Sequence, residues 1–215
     1  MSKVIESAKQ IILTAKIGDG CIYTPSQRGT STAYYSSILK DYMLYKHDVL
    51  NKEFKCCDVK IRDNSGGYNK HGMIYYFQTL VNEYCAKVYT YDIYKIINNL
   101  DYFGYLMYYF DDGSFHKCHN TMQLYCNTFT QEQADALSAK IFDLFGGKSP
   151  KVYMDKKKDG RQYPYLYIPV STTKEIINCY EEFVKSRPLL HCMDYKLGSP
   201  SQTIESNKCN SLTGE

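Results

Sequence analysis

The chain has 215 residues, 44% of them hydrophobic and 23% charged, with a formal net charge of +3. That length builds one large domain or two half-domains around a real core, and the mild basicity permits nucleic-acid binding without arguing for it. No run of about 18 apolar residues occurs, so no membrane-spanning helix is expected, and Met1 to Glu6 lacks the apolar core of a secretion signal. The 9 cysteines are odd in number and scattered, with Cys56 and Cys57 adjacent and no C-x-x-C pair. A disulfide framework and a zinc ribbon are therefore not expected, and an intracellular, reducing compartment is, whether cytoplasm or organelle matrix. The 23 tyrosines beside no tryptophan have a bland explanation in A/T-rich codons, which tyrosine shares with lysine, asparagine and isoleucine.

Helical spacing of Ile5, Ala8, Ile11, Ile12 and Ala15 predicts a helix over 5–18, stopped by Gly18-Asp19-Gly20. Cys21–Thr24 and Thr30–Tyr35 predict a hairpin around the loop 25–29. A helix over 37–50 carries Ile38, Leu39, Tyr42, Met43 and Leu50 on its apolar stripe. Cys56–Arg62 and Gly72–Thr79 predict a second hairpin around the polar loop 63–70. Helical stretches follow near 80–86 and 92–98.

The pattern then restarts. Residues 101–111 read as a helix whose aromatic run from Tyr105 ends abruptly in Asp111-Asp112-Gly113. Ser114–Lys117 and Thr121–Thr128 predict a hairpin. Thr130-Gln131-Glu132-Gln133 is a capping box, opening a helix with Ala134, Leu137, Ile141, Leu144 and Phe145 inward and Gly146-Gly147 at its end. Lys151–Met154 and Tyr163–Val170 flank the loop 155–162. Ser171 is expected to cap a last helix carrying Ile176, Ile177, Tyr180, Phe183 and Val184. Asp194-Tyr195-Lys196-Leu197 precedes a polar tail.

Helix, hairpin, helix, hairpin, helix thus occurs twice, with Asp19 and Asp112 in equivalent places 93 residues apart (112 minus 19). The expected fold is α+β: two pseudo-symmetric αββαββα halves, 1–98 and 99–197, followed by a tail over 198–215. Each half holds a four-stranded antiparallel sheet with helices on one face. Placing the two Asp-Gly helices side by side at a pseudo-twofold axis brings Asp19 and Asp112 together. A carboxylate at a helix C-terminus is disfavoured unless a cation binds.

The two motifs, Ile12-Leu13-Thr14-Ala15-Lys16-Ile17-Gly18-Asp19-Gly20 and Tyr105 through Gly113, resemble those of the two-motif, single-chain LAGLIDADG homing endonucleases. Tyr195-Lys196-Leu197 after the last helix and Thr128 to Glu132 with Leu137 and Phe145 extend the resemblance from about residue 8 to Leu197. It implies a monomer with a saddle of two sheets over a long, asymmetric DNA duplex, cut at both strands with Mg2+ (Mn2+ substituting). Position by position, it implies that Asp19 and Asp112 are catalytic metal ligands and that Gly18 and Asp111 offer backbone carbonyls to the metals. It implies basic catalytic partners at Lys196 and, with a small length difference, Lys87. The sequence departs from the pattern at bulky Met107 and Tyr108 and at Lys16 inside the first motif.

The chemistry of the residues agrees. Phosphodiester hydrolysis needs an activated water and charge neutralisation, which metal ions between two carboxylates supply. Close carboxylates repel without a cation, and hard oxygen donors suit Mg2+. A lysine near the phosphate stabilises developing charge. One Asp-Gly turn is ordinary turn chemistry; two in equivalent places point to ligands. His116-Lys117-Cys118-His119 looks metal-like, but strand residues alternate faces, so an approach to DNA through Lys117 is the better expectation.

Basic residues concentrate on the hairpins: Arg28; Lys60, Arg62, Lys70 and His71; Lys151, Lys156, Lys157, Lys158 and Arg161. Charged loops are usually just solvated, yet two-stranded ribbons fit the major groove, and lysines there would meet phosphates. The expected function is a site-specific, metal-dependent DNA endonuclease that mobilises its own coding element, with no membrane partner. The rivals are an intron RNA-binding maturase and a non-cleaving DNA-binding regulator on the same scaffold.

Overall fold

A computed structural model describes residues 4–64, 72–156 and 160–198. The first half runs α1 (Ala8–Thr14), β1 (Gly20–Ile22), β2 (Ala33–Ser37), α2 (Lys40–Asn51), β3 (Lys60–Asp63), β4 (Met73–Gln78), α3 (Glu83–Tyr89) and α4 (Ile93–Asn99). The second runs α5 (Tyr102–Asp112), β5 (Gly113–His116), β6 (Thr121–Tyr125), α6 (Gln131–Phe145), β7 (Lys151–Lys156), β8 (Gln162–Ile168) and α7 (Val170–Lys185), then a 3-10 segment over Pro188–Leu197. Each half forms a four-stranded antiparallel sheet, in the orders β1-β2-β4-β3 and β5-β6-β8-β7. The α+β class and the repeated sheet are therefore as the sequence predicts.

Local chemistry moves several boundaries. Ser7 accepts from the Gln10 amide and starts α1 at Ala8 rather than residue 5. Asn82 and Asp92 cap α3 and α4 in the same way, shifting both helices toward the C-terminus. Thr130 and Gln133 form the predicted capping box. Ser171 does not cap α7: the cap position falls two residues earlier, at Pro169, the helix starts at Val170, and the Ser171 hydroxyl is buried without a partner. Cys56 joins the first sheet only through a single bridge to Thr79. Of the expected tail, 199–215 lies outside the described residues.

Helix α5 is apolar all round and buried from Phe103 through Phe110, as a helix packed on every side must be. Its tyrosines reach into their own half, while Phe110 meets the Tyr42 ring of the first half edge-on. Tyr105 stacks on Tyr180 and meets Phe145. The Tyr108 hydroxyl donates to the Tyr125 carbonyl (3.0 Å) and the Tyr109 hydroxyl to the Lys196 carbonyl (2.8 Å). The face toward α1 is different. Gly104 lies against the Gln10 side chain, and two turns on, Asp111 lies against Gly18. Tyr108, turned toward Tyr125, therefore does not obstruct the helix pair.

Gly18 is required by that close approach. A Cβ there would stand 2.6 Å from Asp111 Oδ2 and 3.0 Å from Asp111 Cβ. Gly18→Ala is expected to cost about 1–3 kcal/mol, the usual range for overpacking. Urea unfolding checks this; an unchanged midpoint would mean that the helix ends can part freely.

Candidate active site

The final turn of α1 continues past Thr14, whose carbonyl accepts from the Gly18 amide (2.9 Å), and the chain then turns at Asp19 into β1. Helix α5 runs through Asp112 and turns at Gly113, whose amide donates to the Tyr109 carbonyl, into β5. Strands β1 and β5 are edge strands, so each carboxylate stands where a paired helix enters a sheet. Asp19 is exposed and Asp112 half-buried, but both are crowded by protein. Burial chiefly raises the Asp112 pKa to about 7, with the charges of Asp19 and Asp111 adding to it against Lys196 and Lys46. Burial and then Asp111 raise that of Asp19, against the same lysines. The charge of Asp19 bears on Asp112, whereas the carboxylate that bears on Asp19 is Asp111. Among the described residues neither Asp19 nor Asp112 has a hydrogen bond or ion pair.

Asp111 takes another path. Its side chain turns inward, and Oδ1 accepts from Lys46 Nζ (2.6 Å) and the Tyr42 hydroxyl (2.8 Å). Both ion-pair side chains are only 1% exposed. Oδ2, facing Gly18, is buried without a partner. Only the backbone carbonyl of Asp111 is left for the role the resemblance implies. Lys46 and Tyr42 belong to α2 of the first half, so this pair crosses between halves. Lys46 was missed in the sequence reading. Its signal is its position three residues after Met43 and four after Tyr42, on the apolar stripe, where a lysine needs a buried partner.

Lys196 arrives from the 3-10 segment. Nζ donates to the carbonyls of Phe110 (2.5 Å) and Asp111 (3.1 Å). These are carbonyls that the helix end leaves without intrahelical donors, at the negative pole of α5. Burial lowers the Lys196 pKa, against the pull of Asp111, Asp19 and Asp112. Lys87 is not brought into this group. It is exposed on α3, and the cations bearing on Asp19 and Asp112 are Lys46 and Lys196. Lys16, the departure inside the first motif, turns away to donate to the carbonyls of Tyr89 (2.6 Å) and Tyr91 at the end of α3.

Arg28, Lys60, Arg62, Lys117, Lys151, Lys156 and Arg161 are exposed, on strands or the loops joining them. Lys70, His71, Lys157 and Lys158 lie outside the described residues. Register sets which strand residues share a face: Tyr34 pairs with Gln78, and Tyr76 with Ser36 and Lys60, on the outer face of the first sheet. Gln123 pairs with Tyr167, and Tyr125 with Tyr165, on the outer face of the second. The Tyr34 and Ser114 hydroxyls on these faces are buried yet unpartnered. Among the described residues no helix is long and apolar enough to cross a membrane.

The homing endonuclease I-WcaI, in a structure bound to its DNA recognition sequence, is similar over 92% of this chain and 88% of that one, with a TM-score of 0.67 and 15% identity. The chain has the LAGLIDADG fold. The full-length WhiA structure from Thermatoga maritima is similar at a TM-score of 0.48 and 11% identity, the match spanning 62% of that chain. The N-terminal LAGLIDADG domain of WhiA is similar at 0.47 and 13% identity, over 81% of each chain. No family model matches the sequence, and no curated protein sequence does.

In this LAGLIDADG fold the donor set suits a hard divalent cation. Asp19 and Asp112 have no hydrogen-bond or ion-pair partner among the described residues, both are raised by burial and neighbouring carboxylates, and the Asp111 carbonyl keeps a lone pair beside its bond from Lys196. Among the described residues no group of three or more His, Cys, Asp or Glu side chains is disposed to hold a metal. Binding would therefore rest on two carboxylates, backbone carbonyls and water or phosphate oxygens, a set typical of Mg2+.

Two predictions follow from these charges. Removing Lys46 strands a buried carboxylate, so Lys46→Met is expected to cost about 3–5 kcal/mol. Lys46→Met with Asp111→Asn should recover much of it; simple additivity in the double-mutant cycle would show that the two side chains are not coupled. An acid with a raised folded pKa binds more protons folded than unfolded, so Asp112 lowers stability as pH climbs from about 4 toward about 7. In EDTA, Asp112→Asn should therefore melt higher than the parent at pH 8, with the gap closing by pH 4. A gap independent of pH would contradict the assigned shift.

Proposed function

We propose that this protein is a site-specific, metal-dependent DNA endonuclease that makes a double-strand break in a long, asymmetric duplex and so mobilises its own coding element. The observation that carries the reading is the unpartnered pair Asp19 and Asp112 at adjoining helix ends, flanked by two basic-fringed sheets. The fold it shares with the DNA-bound I-WcaI supports the same partner.

Asp19 and Asp112 would hold Mg2+, with the Gly18 and Asp111 carbonyls completing the protein's donors. When bound, the metal supplies charge neutralisation at the phosphate and a more acidic water. The residues of the chain set the conditions for this. Lys46 binds the Asp111 carboxylate and keeps that charge out of the site. Lys196 holds the end of α5 and places positive charge beside Asp112, where it opposes charge developing on a scissile phosphate. Strands β1 and β5 leave the site directly, so each sheet would track one arm of the duplex, with exposed lysines on phosphates.

The test is cleavage of a plasmid library that includes the uninterrupted host gene, with Mg2+ and with Mn2+. Linear product is expected. Asp19→Asn and Asp112→Asn should each reduce it by more than about 100-fold, beyond what losing an outer partner of a metal costs, while duplex binding in EDTA persists. Duplex binding with no cutting by the intact chain in either metal would leave a regulator rather than a nuclease.

A further inference from the structure

The two sheets differ in the chemistry of their outer faces. On the first, β3 carries Lys60 and Arg62 on the outer side, in register with Tyr76 and Ile74. The Arg62 guanidinium lies 5.4 Å from the Tyr76 ring centroid. That contact steadies a flexible cation and leaves its fork of donors free. The strands of this face carry +2 outward, from Lys60 and Arg62, beside Tyr34, Ser36, Tyr76 and Gln78, so the charged pair is what sets it apart from the second face.

On the second face, the corresponding edge strand β7 carries Lys151, Tyr153 and Asp155 outward, which cancel to zero. The central strands β6 and β8 add Thr121, Gln123, Tyr125, Tyr163, Tyr165 and Tyr167, and the edge strand β5 adds Ser114 and His116. The rings form a continuous layer: Tyr165 meets Tyr125 at 6.2 Å and Tyr153 at 5.7 Å, and Tyr153 meets Tyr167 at 6.3 Å. The Tyr125 hydroxyl donates to Gln123 Oε1 (3.4 Å), which fixes the amide's orientation and leaves its NH2 free. Such a face offers one oriented amide, phenol edges and no guanidinium on its strands.

Base edges in the major groove distinguish these faces. Guanine O6 and N7 take a bidentate arginine or lysine; adenine N6 and N7 take a glutamine amide; the thymine methyl takes an apolar surface. We propose that the two sheets read half-sites of opposite composition: the tyrosine–glutamine face of the second half takes an A·T-rich arm, and Arg62 with Lys60 takes guanines in the other. This rests on the reading above that duplex DNA is the substrate, and it adds which sequences that duplex holds and which half reads each arm.

The test is repeated affinity selection of random duplex DNA by the full-length chain in EDTA, which separates binding from cutting. A consensus is expected with A·T pairs concentrated on one side of its centre and guanines on the other. Gln123→Ala should relax adenine preference on the A·T side only, and Arg62→Ala guanine preference on the other side only, each by roughly 5- to 150-fold. Tyr165→Phe, which keeps the ring, should leave the side assignment intact, and thermal melting of each variant checks that it folds. A consensus of even composition, guanines on the side that Gln123→Ala affects, or variants that relax neither arm would overturn the proposal while leaving duplex binding standing. Failure to enrich any duplex would overturn the substrate reading itself, and this inference with it.

Discussion

Two helices that end at one point bring negative charge together, and much of the site's structure answers that repulsion. The C-terminal pole of each carries a partial negative charge, and Asp19, Asp111 and Asp112 add three full ones. Two lysines oppose them, and each has a defined task. Lys46 meets the Asp111 carboxylate in a buried pair. Lys196 meets the carbonyls of Phe110 and Asp111. One negative charge remains after this count, and it falls to Asp19 and Asp112. Both are pushed toward protonation by burial and by neighbouring carboxylates. A protein that needed only a stable helix junction would gain by placing neutral residues at those two positions.

The answer to the repulsion is asymmetric, and the asymmetry depends on the halves sharing one chain. Gly18 and Asp111 hold equivalent places in the repeat, 93 residues apart (111 minus 18). In two identical copies around a twofold axis, glycine would face glycine or aspartate would face aspartate. Here the glycine leaves room and the aspartate uses it, with Oδ2 against Gly18 and Oδ1 reaching Lys46 and Tyr42 of the other half. The interface is therefore specified by a pair of residues that differ between the repeats. The same divergence shows elsewhere: the first half ends in two short helices, α3 and α4, where the second has the single long α7.

Most of the architecture was legible in the sequence because it rests on local signals. Apolar periodicity, turn residues and caps mark the helices and hairpins, and the Asp-Gly repeat marks which helices pair. The expectation that Asp19 and Asp112 share one site rests on that symmetry alone. What was not legible depends on the directions of side chains in the folded chain. Tyr105 and Tyr108 look too large for a close helix pair, and only their contacts within the second half show that they turn away, with Gly104 and Asp111 set against α1. Lys87 sits near the expected distance before the second motif, but α3 holds it outside the group. Lys46 has no motif around it; its one signal is a charge on an apolar stripe. The 3-10 segment that delivers Lys196 has neither helical nor strand periodicity to mark it.

Tyrosine content shows how composition and placement carry different information. A/T-rich codons would raise tyrosine content, but nothing in such a bias selects a face of a sheet. Within the described strands, register places Tyr34, Tyr76, Tyr125, Tyr153, Tyr163, Tyr165 and Tyr167 outward and only Tyr35 and Tyr75 inward. Solvent-facing strand positions ordinarily take threonine, lysine or glutamate as readily as an aromatic ring. On β8, alternate residues Tyr163, Tyr165 and Tyr167 repeat the choice at the period of the pleat. All three are half-buried, and the Tyr165 and Tyr167 rings lean on Tyr125 and Tyr153 of the neighbouring strands. A layer of this kind is stiff, uncharged and amphipathic: it holds phenol edges in place at little entropic cost. Composition alone counts the residue, whereas its position on the outer face of one sheet and the lysine–arginine pair on the other give the two halves of the molecule unlike surfaces to present.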